Sequence, residues 1–169
     1  VTFSVDYTGL GGNNGPQTTS TTDGSQVDVD TTAPSLTAVG LTSSTSPNPA
    51  GVDADITLSF TASEALAADP VVTIAGVTVT PVTCDGSTNE CSAVHTVVAG
   101  DTEEGDVAIS IVFSDVAGND GTAVTSVSDG SSVTIDTVPP YLHHVFLSPA
   151  VVGVGASIDL GFVPSEPLG

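Results

Sequence analysis

Lysine and arginine are missing from all 169 residues, against 20 Asp and Glu and three His, so the formal charge is −20. Without a basic patch there is no electrostatic footprint for nucleic acid or for an anionic lipid surface. A phosphate-cradling lysine, a phosphate-clamping arginine, a Schiff-base lysine and a lysine-derived isopeptide crosslink are excluded by the same absence. So are Lys and Arg salt bridges. Tryptophan is absent too and aromatic residues make up 4% of the chain, so no sugar-stacking platform is evident. No long apolar run exists either. The most apolar late stretch, Ala150 to Phe162, is broken by Gly153, Gly155 and Asp159, and is too short to span a bilayer.

What is present is a core's worth of apolar residues. Hydrophobic residues make up 39% of the chain and the mean hydropathy is +0.32, which separates it from an acidic disordered tail. The length suits one or two domains. Val1 is not an initiator Met and no basic-apolar leader precedes it, so the chain reads as mature or cropped. Cys84 and Cys91 bracket Asp85-Gly86-Ser87-Thr88-Asn89-Glu90, a turn-like stretch. Two free buried thiols are the alternative, and a zinc half-site lacks nearby partners. A disulfide across a hairpin is expected, which implies an oxidising, extracellular compartment.

The chain repeats itself. Asp30-Thr31-Thr32-Ala33-Pro34 returns 106 residues later as Asp136-Thr137-Val138-Pro139-Pro140. The register holds without a gap from 1–36 against 107–142, with Gly12/Gly118, Asn13/Asn119, Gly15/Gly121, Asp23-Gly24-Ser25/Asp129-Gly130-Ser131 and Val27/Val133 in step. Ile56-Thr57-Leu58-Ser59-Phe60 with Ser63-Glu64 then returns 102 residues later as Ile158-Asp159-Leu160-Gly161-Phe162 with Ser165-Glu166. Three units follow: the last strands of one module in 1–33, a complete module in 34–136 and the first strands of another in 137–169.

Within the complete unit, alternation with period two dominates. Ile56, Leu58 and Phe60 form one buried stripe, and Val107, Ile109, Ile111 and Phe113 another. Val72 and Ile74, then Val77 to Thr80, then Val94 to Val98, and finally Val133-Thr134-Ile135 supply further strands. Turn clusters separate them at Ser46-Pro47-Asn48-Pro49, Ala75-Gly76, Asp85-Gly86, Gly100-Asp101 and Gly118-Asn119-Asp120-Gly121. About seven short strands in roughly 100 residues predict an all-β, immunoglobulin-like sandwich.

The succession Asp30-Thr31-Thr32-Ala33-Pro34, Ser63-Glu64-Ala65, Ser114-Asp115-Val116-Ala117-Gly118-Asn119 and Asp129-Gly130-Ser131-Ser132-Val133-Thr134-Ile135-Asp136 resembles the tandem Ig-like, cadherin-like repeats of large bacterial adhesins and surface fibres. That resemblance implies an extracellular stalk with calcium at module junctions. The lack of Lys and Arg departs from the usual composition of such repeats.

The strand order brings specific acids together. The loop after the Ile56–Phe60 strand carries Glu64, and the loop after the Ile109–Phe113 strand carries Asp115 and Asp120. Alternating strand direction puts both loops where the linker bearing Asp28 and Asp30 enters. Carboxylates crowded without a cation repel one another, and a hard divalent ion takes six to eight oxygen ligands. Calcium held by Asp28, Asp30, Glu64, Asp115 and Asp120 is therefore expected, with Asp136 and Glu166 as the matching pair at the next junction. The alternative is a set of separate, solvated turn residues. Gly9 stands where the Asp115 equivalent of the earlier unit would be. Asn119 is assigned to its own turn, because Asn tolerates left-handed backbone. His143 and His144 are neighbours on a strand, so they face opposite sides. His95 sits in an alternating run and is expected to be a surface or half-buried histidine rather than a catalyst. No nucleophile elbow or EF-hand loop is completed, and the chain is expected not to be an enzyme. The leading functional expectation is a structural module whose partners are neighbouring modules. The alternatives are an adhesin module gripping a glycan or host protein, and a filament subunit whose neighbours cover open strand edges.

Overall fold

The computed structural model describes residues 1–45, 49–101 and 106–167. Among them every regular element is a strand, and no helix is long and apolar enough to cross a membrane. Of the predicted turn at 46–49, Ser46, Pro47 and Asn48 lie outside the described residues.

The alternating stripes become strands as read. β1 (Leu36–Ser43) leads to β2 (Asp55–Ala62), which buries Ile56, Leu58, Phe60 and Ala62 and turns Asp55 and Ser59 outward. β3 (Val71–Ile74) buries Val72 and Ile74. It reverses through Ala75 and Gly76, with φ of 52° and 75°, into β4 (Val77–Val79). Two successive left-handed residues are what a tight two-residue hairpin demands, and Gly76 supplies the second without strain. β5 (Val82–Cys84), β6 (Glu90–Thr96) and β7 (Ile109–Val112) follow.

Two antiparallel sheets result, ordered β1-β2-β6-β5 and β4-β3-β7. Ile56, Leu58 and Phe60 share one core with Val72, Ile74, Ile109, Ile111 and Phe113. Each fully buried side chain of this size contributes about 1.5–3 kcal/mol.

The run Val133-Thr134-Ile135 is buried at its two apolar residues and makes isolated bridges, Asp106 with Thr134 and, in parallel, Ala50 with Ile135. Just before this run, serine hydroxyls bind β1. Val39 N–H donates to Ser128 Oγ at 2.9 Å and Leu41 N–H donates to Ser131 Oγ at 2.8 Å. Gly40 lies between them because a Cβ at that position would collide with the Asp129 carboxylate.

Bonds made early in the chain are made again later. Gly15 N–H donates to Tyr7 O at 2.8 Å, and Gly121 N–H donates to Phe113 O at 3.0 Å. Val5 bridges Thr18 as Ile111 bridges Val124. The third sheet pairs β8 (Leu142–Ser148) with β9 (Asp159–Pro164), and Leu147 opposes Leu160 as Leu41 opposes Leu58. Tyr141 N–H donates to Ser165 Oγ at 3.0 Å, as Ser35 N–H does to Ser63 Oγ at 3.0 Å. Burial is what differs. Phe60 is 2% exposed and its counterpart Phe162 is 49% exposed, because among the described residues no second sheet covers β8–β9.

Candidate metal centre

Three elements deliver a carboxylate each to the end where the linker meets β1. Asp30 comes from the linker, Glu64 from the residues just after β2, and Asp115 from the loop beyond β7. One ligand oxygen from each lies within 4.8 Å of the others. Among the described residues this is the one group of three or more His, Cys, Asp and Glu side chains placed to hold an ion.

Each acid is held differently. Asp115 is 1% exposed. Its Oδ2 accepts Asn119 Nδ2–H at 2.8 Å and its Oδ1 accepts Asn119 N–H at 2.8 Å. The Asn119 amide, opposed by burial and helped by neighbouring backbone N–H groups, lowers the Asp115 pKa below the usual carboxylate value. Glu64 is half-buried and moves the other way. Desolvation raises it, and the negative charges of Asp30 and Asp115 add to the rise. Asp30 is exposed, and its Oδ1 accepts Thr32 N–H at 2.9 Å in a local turn.

Asp28 and Asp120 fall outside the group of three. Both are exposed, and Asp120 bridges Ser114 in the turn after β7. At the other linker Asp136 Oδ1 accepts Val138 N–H at 3.0 Å, which repeats the Asp30 turn. Asp136 and Glu166 belong to no such group among the described residues.

Cys84 and Cys91 form a disulfide, S–S 2.00 Å, across a directly opposed pair of β5 and β6. Its hairpin reaches the candidate centre through the backbone, where Ala62 N–H donates to Asn89 O at 2.9 Å just before Ser63 and Glu64. A cleft of about 180 Å³ lies there, lined by residues including Glu64, Leu66, Cys84, Asp85 and Cys91. Small-molecule sites run from roughly 300 to 1,000 Å³, so this cleft is small for an organic ligand, and neither Asp30 nor Asp115 lines it.

Comparison with protein-family models, curated proteins and solved structures returns no match for this chain. The site therefore stands on its geometry.

Two partnerships were not legible in the sequence. His95 is 8% exposed, more buried than the surface or half-buried position expected, and its Nε2 lies 2.8 Å from Asp101 Oδ2. The contact is a hydrogen bond between the imidazole and the carboxylate, made in a chain without Lys or Arg. Asn119 does not take the left-handed conformation; Gly118 does, with φ of 91°. The recurrence of Asn13 as Asn119 was the signal that the side chain had a task of its own.

Proposed function

We propose that the chain is a stretch of tandem Ig-like sandwich units from an extracellular stalk or fibre, and that a divalent cation, calcium by its oxygen preference, stiffens the junction between units. The observation that carries this proposal is the convergence of Asp30, Glu64 and Asp115, one of them on the linker, to within 4.8 Å in a chain with no Lys or Arg to offset them. Hard oxygen donors suit calcium, whose remaining ligands would come from water or backbone carbonyls. An ion there ties the linker to two loops of the following unit. The same charge that would push the joint apart then holds it closed.

Other features support the architecture. The orders β1-β2-β6-β5 and β4-β3-β7, with Val124 bridging β7, follow the A-B-E-D and C′-C-F-G arrangement of Ig-like sandwiches. The recurring hydrogen bonds at 7–15 and 113–121 support a repeat of about 106 residues. On this proposal, 1–33 and 137–169 belong to the neighbouring units, and the apolar face of β8–β9 packs on strands of its own unit. The disulfide supports an oxidising location. Pro34 and Pro139-Pro140 favour extended, stiff linkers.

Thermal melts of the chain in EDTA, in calcium and in ionic-strength-matched sodium chloride test the proposal. Calcium at a hundredfold excess over its Kd stabilises the folded form by about 2.7 kcal/mol, a rise in Tm on the order of 10–20 °C for a unit of this size. Equal melting temperatures in calcium and in matched sodium would remove the ion from the junction. A calcium-specific rise that disappears in Asp30→Asn and in Glu64→Gln places it at these residues.

A further inference from the structure

Between β7 and the linker stands one side chain that touches both. Asn119 Nδ2 lies 3.3 Å from Asp30 O, 3.3 Å from Thr32 O and 2.8 Å from Asp115 Oδ2. Two amide hydrogens serve three acceptors, so one of them is shared. The backbone N–H of the same residue is bound to Asp115 Oδ1, which fixes the base of the side chain. Asp115 is itself buried and anchored, and Leu66 bridges it. A continuous chain of bonds thus runs from the buried carboxylate through Asn119 to two carbonyls of the incoming linker.

We infer that Asn119 is the positioning residue that latches the linker to the body of the unit, and that it does so without an ion. The chemistry requires an amide at this position. Every acceptor is an oxygen, two carbonyls and a carboxylate, so the side chain must offer only donors toward them. Aspartate, equal in size, would present oxygen to oxygen. Serine is one atom shorter and has a single hydrogen to give.

The inference deepens the junction proposal and rests on it for its consequence. Asp30 carries one of the latched carbonyls and Asp115 accepts the latch, so Asn119 sets the spacing of two of the three candidate ligands before any ion arrives. Fixing ligands in advance lowers the ordering cost of binding, and outer-shell partners of this kind typically change metal affinity by about 10- to 100-fold.

Backbone ¹⁵N relaxation of the full chain in EDTA tests the latch directly. Wild-type order parameters at Thr31 and Thr32 are expected near ~0.85, the rigid range, and those of Asn119→Ala and Asn119→Asp below ~0.6. The amide shifts of β2 and β7 report whether each variant keeps its core, and either variant that does so decides the matter. Unchanged order at 31 and 32 in a folded variant would overturn the inference. A wild-type linker that is mobile in EDTA and orders only with calcium would overturn it as well, while leaving the ion in place. The reverse pattern, a linker loosened by the substitutions in a chain that ignores calcium, would uphold the latch and remove the ion.

Discussion

His95 Nε2 and Asp101 Oδ2 meet at 2.8 Å, each side chain 8% exposed, and the same carboxylate oxygen accepts Val98 N–H at 2.9 Å. Asp101 thereby closes the end of β6 onto the loop that follows. Its carbonyl oxygen accepts Thr137 Oγ1–H at 3.2 Å, which ties the outgoing linker to that loop. Burial works against ionisation of Asp101, but the Val98 N–H and the His95 ring outweigh it and lower the pKa below the ordinary value of 3.8. A carboxylate lowered on folding stabilises the native state above its unfolded pKa, and that contribution fades as pH falls through the folded value. Urea unfolding at neutral pH should show Asp101→Ala less stable by about 1–3 kcal/mol, the cost of leaving buried partners unpaired. The deficit should shrink below pH 3.8. A deficit independent of pH would mean that the ionised carboxylate is not the source.

Reduction tests the hairpin. Cys84 and Cys91 close a loop with a sequence separation of 7, and loop-closure entropy assigns such a ring roughly 2–3 kcal/mol. The Cys84→Ser, Cys91→Ser double variant should lose about that much in denaturant melts and keep its strand signal in circular dichroism. Because Asn89 O holds Ala62 N–H beside Glu64, the calcium-dependent rise in Tm should also become smaller in this variant.

Matched truncations on the two related hairpins separate a built core from an open face. Phe60→Ala removes a ring that is 2% exposed and should cost about 3–5 kcal/mol. Phe162→Ala removes one that is 49% exposed and should change stability by less than about 0.5 kcal/mol. A large cost at Phe162, measured in the same chain, would mean that β8–β9 is covered in solution.

Glu64 makes the centre sensitive to protons in a defined direction. Desolvation and the charges of Asp30 and Asp115 raise its pKa above 4.5. A carboxylate raised on folding contributes stability below its unfolded pKa and loses it as pH climbs through the folded value, so at neutral pH the ionised group works against the ion-free fold. Glu64→Gln should therefore raise Tm in EDTA at neutral pH while abolishing the calcium response. A variant that melts lower than wild type in EDTA would show that the ionised Glu64 is stabilising and that the repulsion has been misplaced.

Patterns local in the chain were legible from it. Ile56, Leu58 and Phe60 alternate because a pleated strand sends successive side chains to opposite faces, and Ala75-Gly76 marks a hairpin because two left-handed residues are needed there. The Cys84–Cys91 pairing followed from a short turn between two cysteines. Asp30, Glu64 and Asp115 were brought together by strand direction alone, since alternating antiparallel strands deliver alternate loops to one end. The same rule could not select among the acids of that end. Asp28 and Asp120, expected at that end from the strand order, stay outside the group of three.

Composition determined that the chain has no Lys or Arg, and its periodicity determined that it forms strands, because both depend on residue identity and short-range geometry. Tertiary structure alone decided that His95 is buried against Asp101 and that Asn119 reaches from its own loop to Asp30 O and Thr32 O, 89 and 87 residues away. Hydrogen bonds are made over a few tenths of an ångström and depend on direction. Donors and acceptors so far apart in sequence find each other only once packing has fixed the backbone that carries them.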